Sequence, residues 1–192
     1  MRPPLPPAFW QAVRAAYEGP GRAYHGPAHL EDVLVRYDEL DWDRPLEALI
    51  ALAWHDAVLV AGAHDNEARS AELARQAIRR WAPAADADSV ARMIELTAKH
   101  GQLSPGEVNA DEAKVLDCDL AILGAAPELF DAYERGIAQE YAAFSADAYA
   151  AGRAAFLTNM LARELIFLSP GMRARFEERA RRNLNRSLAR LR

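Results

Sequence analysis

The chain has 192 residues, of which 51% are hydrophobic and 27% are charged, and its formal net charge is −5. This length and composition fit one large globular domain and exclude an intrinsically disordered chain, while the negative charge argues against general nucleic-acid binding. The single cysteine, Cys118, allows no internal disulfide and no cysteine-rich metal site, so any bound metal needs imidazole and carboxylate ligands.

No segment has the sequence pattern of a targeting or membrane-spanning element. The first ten residues are rich in proline and lack the apolar stretch of a signal peptide. The most apolar stretch, 48–63, is shorter than the roughly 20 residues that a membrane-spanning helix needs. We therefore expect a cytoplasmic protein with no membrane partner, and the sequence leaves its oligomeric state open.

Hydrophobic residues recur with a period of about 3.6 along nearly the whole chain, and no alternating β-branched stretch is long enough for a strand. Prolines and capping residues predict the helix boundaries. In the first half of the chain, the predicted helices are one opened by Pro6 and Pro7 and ended by the 19–21 turn, one over 27–40, one capped by Asp43 and one over 66–81. The next two are capped by Asp86 and Asn109, and they end near His100 and continue to Ile122, respectively. Two helices over 128–143 and 146–167 follow, and a last helix begins after Ser169. This series predicts an all-α, single-domain bundle of about eight to nine helices over residues 1–192.

The last predicted helix is rich in arginine. Leu184, Leu188 and Leu191 recur at helical spacing, which predicts that one face packs on the body of the protein. The arginines then lie on a solvated face, with contact to an anionic partner as the alternative.

Two polar residues, His55 and Asp56, interrupt the most apolar stretch of the chain. A buried, unpaired carboxylate costs several kcal/mol unless it is paired or coordinates a metal ion. Successive helical residues project about 100° apart, so the two side chains can occupy neighbouring positions around one ion. A hydrogen-bonded His-Asp pair, or an ion pair with an arginine, is the alternative.

Further polar residues occur at two other helices. His25 and His29 are four positions apart, but an intervening glycine and proline place His25 outside the helix, so His29 is the better core-facing ligand. Asp117 and Asp119 interrupt the apolar helix that follows Asn109. Positions two apart diverge by about 200°, so at most one of these aspartates is expected to point inward.

Together these features resemble the HD-domain superfamily of metal-dependent phosphohydrolases, and most closely its bacterial group of predicted metal-dependent hydrolases. The resemblance covers about 22–124 and extends to strings around Gly152 and Arg181. The motifs that carry it are YHGPAH at 24–29, the His55-Asp56 doublet, DNEARSA at 65–71 and DCDLAILG at 117–124.

The resemblance implies a metal site and a reaction. The metal ligands would be His29, His55, Asp56 and Asp119, with Asp117 as the alternative fourth ligand. Two imidazoles and two carboxylates suit one divalent ion, which could be Mn²⁺, Mg²⁺, Fe²⁺, Co²⁺, Ni²⁺ or Zn²⁺. The expected reaction is attack of metal-bound water on a small phosphoester, such as a nucleotide.

Three further residues are candidates for the active site. Glu67 opens the helix after the His-Asp doublet and is the candidate general base. The alternative is that Glu67 only stabilises the helix, as an acidic residue in a first helical turn does. His100 is a candidate catalytic, phosphate-binding residue, and His25 a candidate substrate-binding residue. The alternative functions are a non-catalytic metal- or ligand-binding regulatory module and a di-metal oxygenase or hydratase on the same scaffold.

Overall fold

The computed structural model describes residues 2–191, and the regular elements in that range are all helical. This described part of the chain has nine α-helices, which are α1 (Pro7–Tyr17), α2 (Pro27–Asp38), α3 (Pro45–Trp54), α4 (Asn66–Trp81), α5 (Ala87–Thr97), α6 (Ala110–Leu120), α7 (Pro127–Glu140), α8 (Ala146–Ala162) and α9 (Pro170–Arg190). Two short 3₁₀ turns cover Pro105–Glu107 and Ala121–Gly124. The prediction of an all-α helical bundle is confirmed.

Two predicted helix starts have the expected side-chain caps. The Asp86 carboxylate accepts hydrogen bonds from the backbone N–H groups of Asp88 and Ser89, both at 3.1 Å. Asn109 and Glu112 form a reciprocal capping box at the start of α6. These bonds satisfy N–H groups that have no partner within their own helix, which explains why the sequence located both starts.

The predicted cap of α3 is wrong. Arg44 occupies the N-cap position, and no side chain caps this helix from within its own segment. The N–H groups of Asp43 and Arg44 donate instead to the carboxylate of Asp111 on α6, at 3.2 and 2.7 Å. Asp111 therefore holds the segment that leads into α3, and it binds N–H groups before the helix instead of those in its first turn.

Helix α8 ends at Ala162, five residues before the predicted boundary at position 167. The segment that follows is irregular because two carboxylates, the buried Asp117 and the partly buried Glu177, bind its N–H groups. Asp117 accepts from Leu168 and Ser169, at 2.8 and 2.7 Å, and Glu177 accepts from two more N–H groups of the segment. These contacts replace the bonds that a continued helix would have made.

Helix α3 lies at the centre of the fold, and every residue from Glu47 to Trp54 is buried. Its continuous apolar sequence is explained by its neighbours, since α2, α4, α5 and α6 all pack against it. Helices α2, α3 and α6 also contact one another pairwise. One hydrophobic cluster surrounds α3, and a second joins α7, α8 and α9 to the 3₁₀ turn after α6.

The apolar face of α9 packs as predicted. Leu184 is fully buried, and Leu188 and Leu191 pack against the second cluster. Several arginines of α9 pair with acids on the body of the protein, as Arg175 does with Glu39 at 2.6 Å. Within residues 2–191, no helix has both the length and the apolar composition that crossing a membrane requires.

Candidate metal centre

Four of the predicted ligands meet where α2, α3 and α6 come together. His29 lies on the first turn of α2, Asp119 lies near the end of α6, and His55 caps the end of α3 with Asp56 in the turn that follows. Each contributes one ligand atom, and these four atoms all lie within 4.8 Å of one another. The two imidazoles are buried, and the two carboxylates are partly buried.

The distances within this group suit the coordination of one ion. His29 Nε2 lies 3.3 Å from both Asp56 Oδ2 and Asp119 Oδ1, and His55 Nε2 lies 3.1 and 3.4 Å from the same oxygens. The two Nε2 atoms are 3.1 Å apart. Ligands about 2.1 Å from one ion lie about 3.0 Å apart at adjacent octahedral positions and about 3.4 Å apart at tetrahedral ones. Five of the six distances in the group are therefore those expected between ligands of one ion, and the four residues could hold a metal ion.

The electrostatics of the group favour positive charge between the carboxylates. Burial alone would raise the pKa of Asp56 and Asp119, but the His55 imidazole helps to hold it well below its usual range. Burial would lower the pKa of His29 and His55, but the facing carboxylates raise it above the ordinary value. The ionised carboxylates thus attract either protons on the imidazoles or a cation.

Backbone contacts fix the orientation of the His-Asp doublet. His55 Nδ1 lies 2.9 Å from the carbonyl of Leu52, which can only accept a hydrogen bond, so in the neutral ring Nδ1 carries the hydrogen and Nε2 presents its lone pair. The Arg22 guanidinium donates to the carbonyls of Asp56 and Ala57, each at 2.8 Å. These bonds hold the turn that carries Asp56 at the end of α3.

His100 contacts the metal group from outside it. Its Nε2 lies 2.7 Å from Asp119 Oδ2, the carboxylate oxygen that does not face His29 and His55. An imidazole in this position orients the carboxylate and leaves Asp119 Oδ1 for an ion. The structure therefore shows His100 as a hydrogen-bond partner of a candidate ligand. Its catalytic role stays a prediction.

Asp117, the alternative fourth ligand, lies outside the group. Its carboxylate accepts hydrogen bonds from the N–H and Oγ–H of Ser169, at 2.7 and 2.6 Å. Burial raises the pKa of Asp117, and the bonds from Ser169 and Leu168 act in the opposite direction. The expectation that at most one of Asp117 and Asp119 points inward is wrong, because α6 is covered on opposite faces.

A cavity of about 590 Å³ borders the candidate metal centre. Asp56 and Asp119 line it, together with three further predicted site residues: His25, Glu67 and His100. This volume lies within the range of small-molecule binding sites, about 300–1,000 Å³. The structure therefore brings the predicted base and substrate-binding residues to the same cavity as the candidate ligands.

Two charged pairs at the cavity were not predicted from the sequence. The Glu140 carboxylate lies 2.7 Å from His25 Nδ1, although 115 positions separate the two residues. Arg153, which lines the cavity and is only 8% exposed, forms an ion pair with Glu134. Neither acid lies near a recognisable motif, so no local signal identified these pairs.

The fold and the site define an all-α protein with a His/Asp group that could hold a metal ion beside a ligand-sized cavity. Comparison with known proteins finds no matching family model, no matching curated protein and no matching solved structure.

Proposed function

We propose that this chain is a metal-dependent phosphohydrolase of the HD superfamily that acts on a small phosphorylated compound, such as a nucleotide. The observation that carries the proposal is the convergence of His29, His55, Asp56 and Asp119 beside a cavity of about 590 Å³. A buried cation site that opens on a ligand-sized cavity is suited to chemistry on an anionic substrate.

The four ligands would hold one divalent ion. Their imidazole and carboxylate donors suit Mn²⁺, Mg²⁺, Fe²⁺, Co²⁺, Ni²⁺ or Zn²⁺. Such an ion, when bound, would polarise the phosphoryl group and lower the pKa of a water molecule. The buried Asp56 Oδ2, which has no hydrogen-bond partner among the described residues, supports this assignment.

The remaining site residues would move protons and bind the substrate. Glu67, in the first turn of α4, lines the cavity and would accept a proton from the attacking water. His25 and His100 line the same cavity and would contact the phosphorylated substrate. The water oxygen would form the new bond to phosphorus while the ester P–O bond breaks, and the proton that Glu67 takes from the water would pass to the departing oxygen, which leaves as the alcohol.

The variant Glu67→Gln tests the proposed reaction. We expect it to keep its fold and bound metal but to lose about 10²- to 10⁴-fold in kcat, because an amide cannot accept the proton. Glu72→Gln is the matched control, since Glu72 lies on the same helix but is exposed to solvent. The measurement is steady-state hydrolysis of a nucleotide and sugar-phosphate panel by the Mn²⁺-loaded protein.

The same assays separate the base from the rest of the proposal. Unchanged turnover in Glu67→Gln would remove Glu67 from the mechanism and leave the metal site standing. Metal-loaded protein that hydrolyses no member of the panel would instead favour the non-catalytic metal- or ligand-binding module.

A further inference from the structure

Aromatic side chains form much of the cavity wall away from the metal ligands. Most of them come from α7, α8 and the connection between these helices. The aromatic lining residues are Tyr24, Tyr133, Tyr141, Phe144, Tyr149 and Phe156. Tyr141 contacts both Phe144 and Tyr149, with ring centroids 5.6 and 6.3 Å apart. We call this part of the cavity the aromatic wall. It presents ring surfaces as well as hydrogen-bonding groups.

Arg153 completes the aromatic wall without providing a free charge. Its guanidinium lies 4.9 Å from the centroid of the Tyr133 ring and 4.7 Å from that of Phe156. The ion pair with Glu134 balances its charge. Among the described residues that line the cavity, Arg153 is the one lysine or arginine. The wall therefore suits a flat, uncharged group better than a chain of phosphates.

The acidic residues of the cavity reinforce this conclusion. Asp56, Glu67 and Asp119 line it, and their negative charges add to that of one bound phosphoryl group. One divalent ion would balance only part of this total negative charge. Each additional phosphate would bring more negative charge into the same space, with no unpaired arginine or lysine among the described lining residues to receive it.

We infer that the substrate is a phosphomonoester whose alcohol carries a planar conjugated ring, and that this ring stacks on the aromatic wall. The inference rests on the proposed function for the position of the phosphoryl group. Offset or edge-to-face contacts between rings favour a planar ligand over a puckered one of equal size and charge. A nucleobase and a simple aryl group share this chemistry.

Two phosphonates of equal charge and similar size test the inference. Benzylphosphonate and cyclohexylmethylphosphonate differ in whether the six-membered ring is planar, and neither can be hydrolysed. Calorimetric titration of the Mn²⁺-loaded protein should show benzylphosphonate binding about 10-fold more tightly. Equal affinities, a preference for the cyclohexyl ring, or no binding of either compound would overturn the inference.

Variants of Tyr149 locate the preference on the aromatic wall. Tyr149→Leu keeps an apolar side chain but removes the ring, so it should reduce the planar preference several-fold. Tyr149→Phe keeps the ring and should retain the preference. Loss of the preference in both variants, or in neither, would show that stacking on Tyr149 does not select the ligand and would overturn this placement.

Hydrolysis assays keep the two proposals distinguishable. Binding selectivity without turnover of benzyl phosphate would support the aromatic wall and count against phosphohydrolase activity. Turnover of glycerol phosphate as fast as that of benzyl phosphate would support the proposed function and overturn the ring requirement. A nucleoside monophosphate that binds more tightly than benzylphosphonate would identify a base-sized ring, and weaker binding would identify a simple aryl group.

A separate observation concerns the buried acid beside His25. The Glu140 side chain is only 2% exposed. Its Oε1 accepts hydrogen bonds from the N–H groups of Tyr24 and His25, at 2.7 and 2.8 Å. Its Oε2 lies 2.7 Å from His25 Nδ1. Burial would raise the pKa of Glu140, but the bonds from His25 and the backbone lower it below its usual value.

The geometry points to Glu140 as the residue that positions His25 and fixes its tautomer. An ionised carboxylate can only accept hydrogen bonds, so Nδ1 of His25 carries the hydrogen. The neutral ring then offers Nε2 as an acceptor, for a hydroxyl group of the substrate or for water. The tautomer follows from these contacts alone, and the partner of Nε2 rests on the proposed function.

The variant Glu140→Gln should reverse this tautomer. The two backbone N–H groups require the oxygen of the amide, so the amide NH₂ must face His25 Nδ1 and donate to it. The ring hydrogen then moves to Nε2. Nitrogen-15 NMR of the Mg²⁺-loaded protein at about pH 9, above the ordinary imidazole pKa, measures which nitrogen carries the hydrogen.

His25→Gln identifies the His25 resonances by their disappearance. Nδ1–H in the native protein and Nε2–H in Glu140→Gln would support the positioning role. Nε2–H in the native protein, or the same tautomer in both proteins, would overturn it. The native spectrum alone decides the matter if Glu140→Gln does not fold.

Discussion

At Asp56, a buried carboxylate oxygen faces two imidazoles and has no hydrogen-bond partner among the described residues. Burial of this carboxylate costs desolvation, which the charge of the facing imidazoles offsets only while those rings are protonated. A cation bound at Oδ2 would compensate it, whereas a purely structural His-Asp pair would be expected to form a direct hydrogen bond. Asp56 is therefore the residue at which the metal assignment can be tested most directly.

Replacing Asp56 with alanine should reduce bound metal to near zero. The variant removes one of four ligand atoms and part of the negative charge that attracts the ion. Metal content would be measured by elemental analysis of protein purified without a chelator. Asp65→Ala is the control, since Asp65 is an exposed acid in the loop before α4. Full metal occupancy in Asp56→Ala would exclude the site as described.

Asp117 and Asp119 lie two positions apart on α6 and have different surroundings. The Asp119 carboxylate faces the imidazoles, whereas Asp117 binds the start of α9 through Ser169 and the N–H of Leu168. The sequence left open which aspartate would be the ligand. The structure distinguishes them because each faces a different packing partner of the same helix.

Asparagine substitutions should separate the two aspartates. Asp117→Asn should keep bound metal and lower the free energy of unfolding by about 1–3 kcal/mol, since its NH₂ group must face a donor. Asp119→Asn should lose metal. Elemental analysis and urea denaturation give the two quantities. Loss of metal in Asp117→Asn at unchanged stability would assign the ligand to Asp117 instead.

At the scale of the elements, α9 is held against the 3₁₀ turn at Ala121–Gly124 by a close backbone contact. A Cβ atom on Gly124 would lie 2.7 Å from the carbonyl oxygen of Phe176 and 2.6 Å from its Cβ. Glycine is therefore required here by the space between α9 and the turn.

The variant Gly124→Ala should lower the free energy of unfolding by about 1–3 kcal/mol, because the added methyl group forces the two segments apart. Gly171→Ala is the matched control on α9, since a Cβ atom there meets nothing within 4 Å. It should change stability by less than about 0.5 kcal/mol. Equal stabilities of the two variants in urea denaturation would contradict the close contact between α9 and the turn.

At the scale of the whole molecule, the candidate ligands join α2, α3 and α6, so an ion would link three helices that already pack together. The hydrophobic clusters around α3 and around α7 to α9 do not depend on the ion. Metal binding should therefore add to the stability of a folded protein instead of being a condition for folding.

Removing the metal with a chelator should lower Tm without unfolding the protein at room temperature. Binding to the folded state alone contributes about 2.7 kcal/mol at a metal concentration of one hundred times Kd, which corresponds to about 5–10 °C for a chain of this size. Calorimetry with and without the chelator measures the shift. Asp56→Ala should show no shift, and a native Tm indifferent to both chelator and Mn²⁺ would contradict tight binding.

The helical class and most helix starts could be predicted from the sequence, because those properties depend on nearby residues. The period of the hydrophobic residues, the caps at Asp86 and Asn109 and the limits of α4 are local features. The motifs also identified the four residues that the structure brings together at the candidate metal centre. Histidine and aspartate are costly to bury in an apolar helix unless they are paired or bind an ion, so their positions stood out in the sequence.

Contacts between distant residues could not be predicted from the sequence, because they depend on how the helices pack. Asp111 holds the segment before α3, Asp117 and Glu177 bind the segment after α8, and Glu140 orients His25. Such pairs leave no local pattern, because a buried carboxylate binds whichever N–H groups the packing of the helices brings to it. The same reason separates Asp119 from Asp117, since the sequence places both on α6 and only the surrounding helices determine what each one faces.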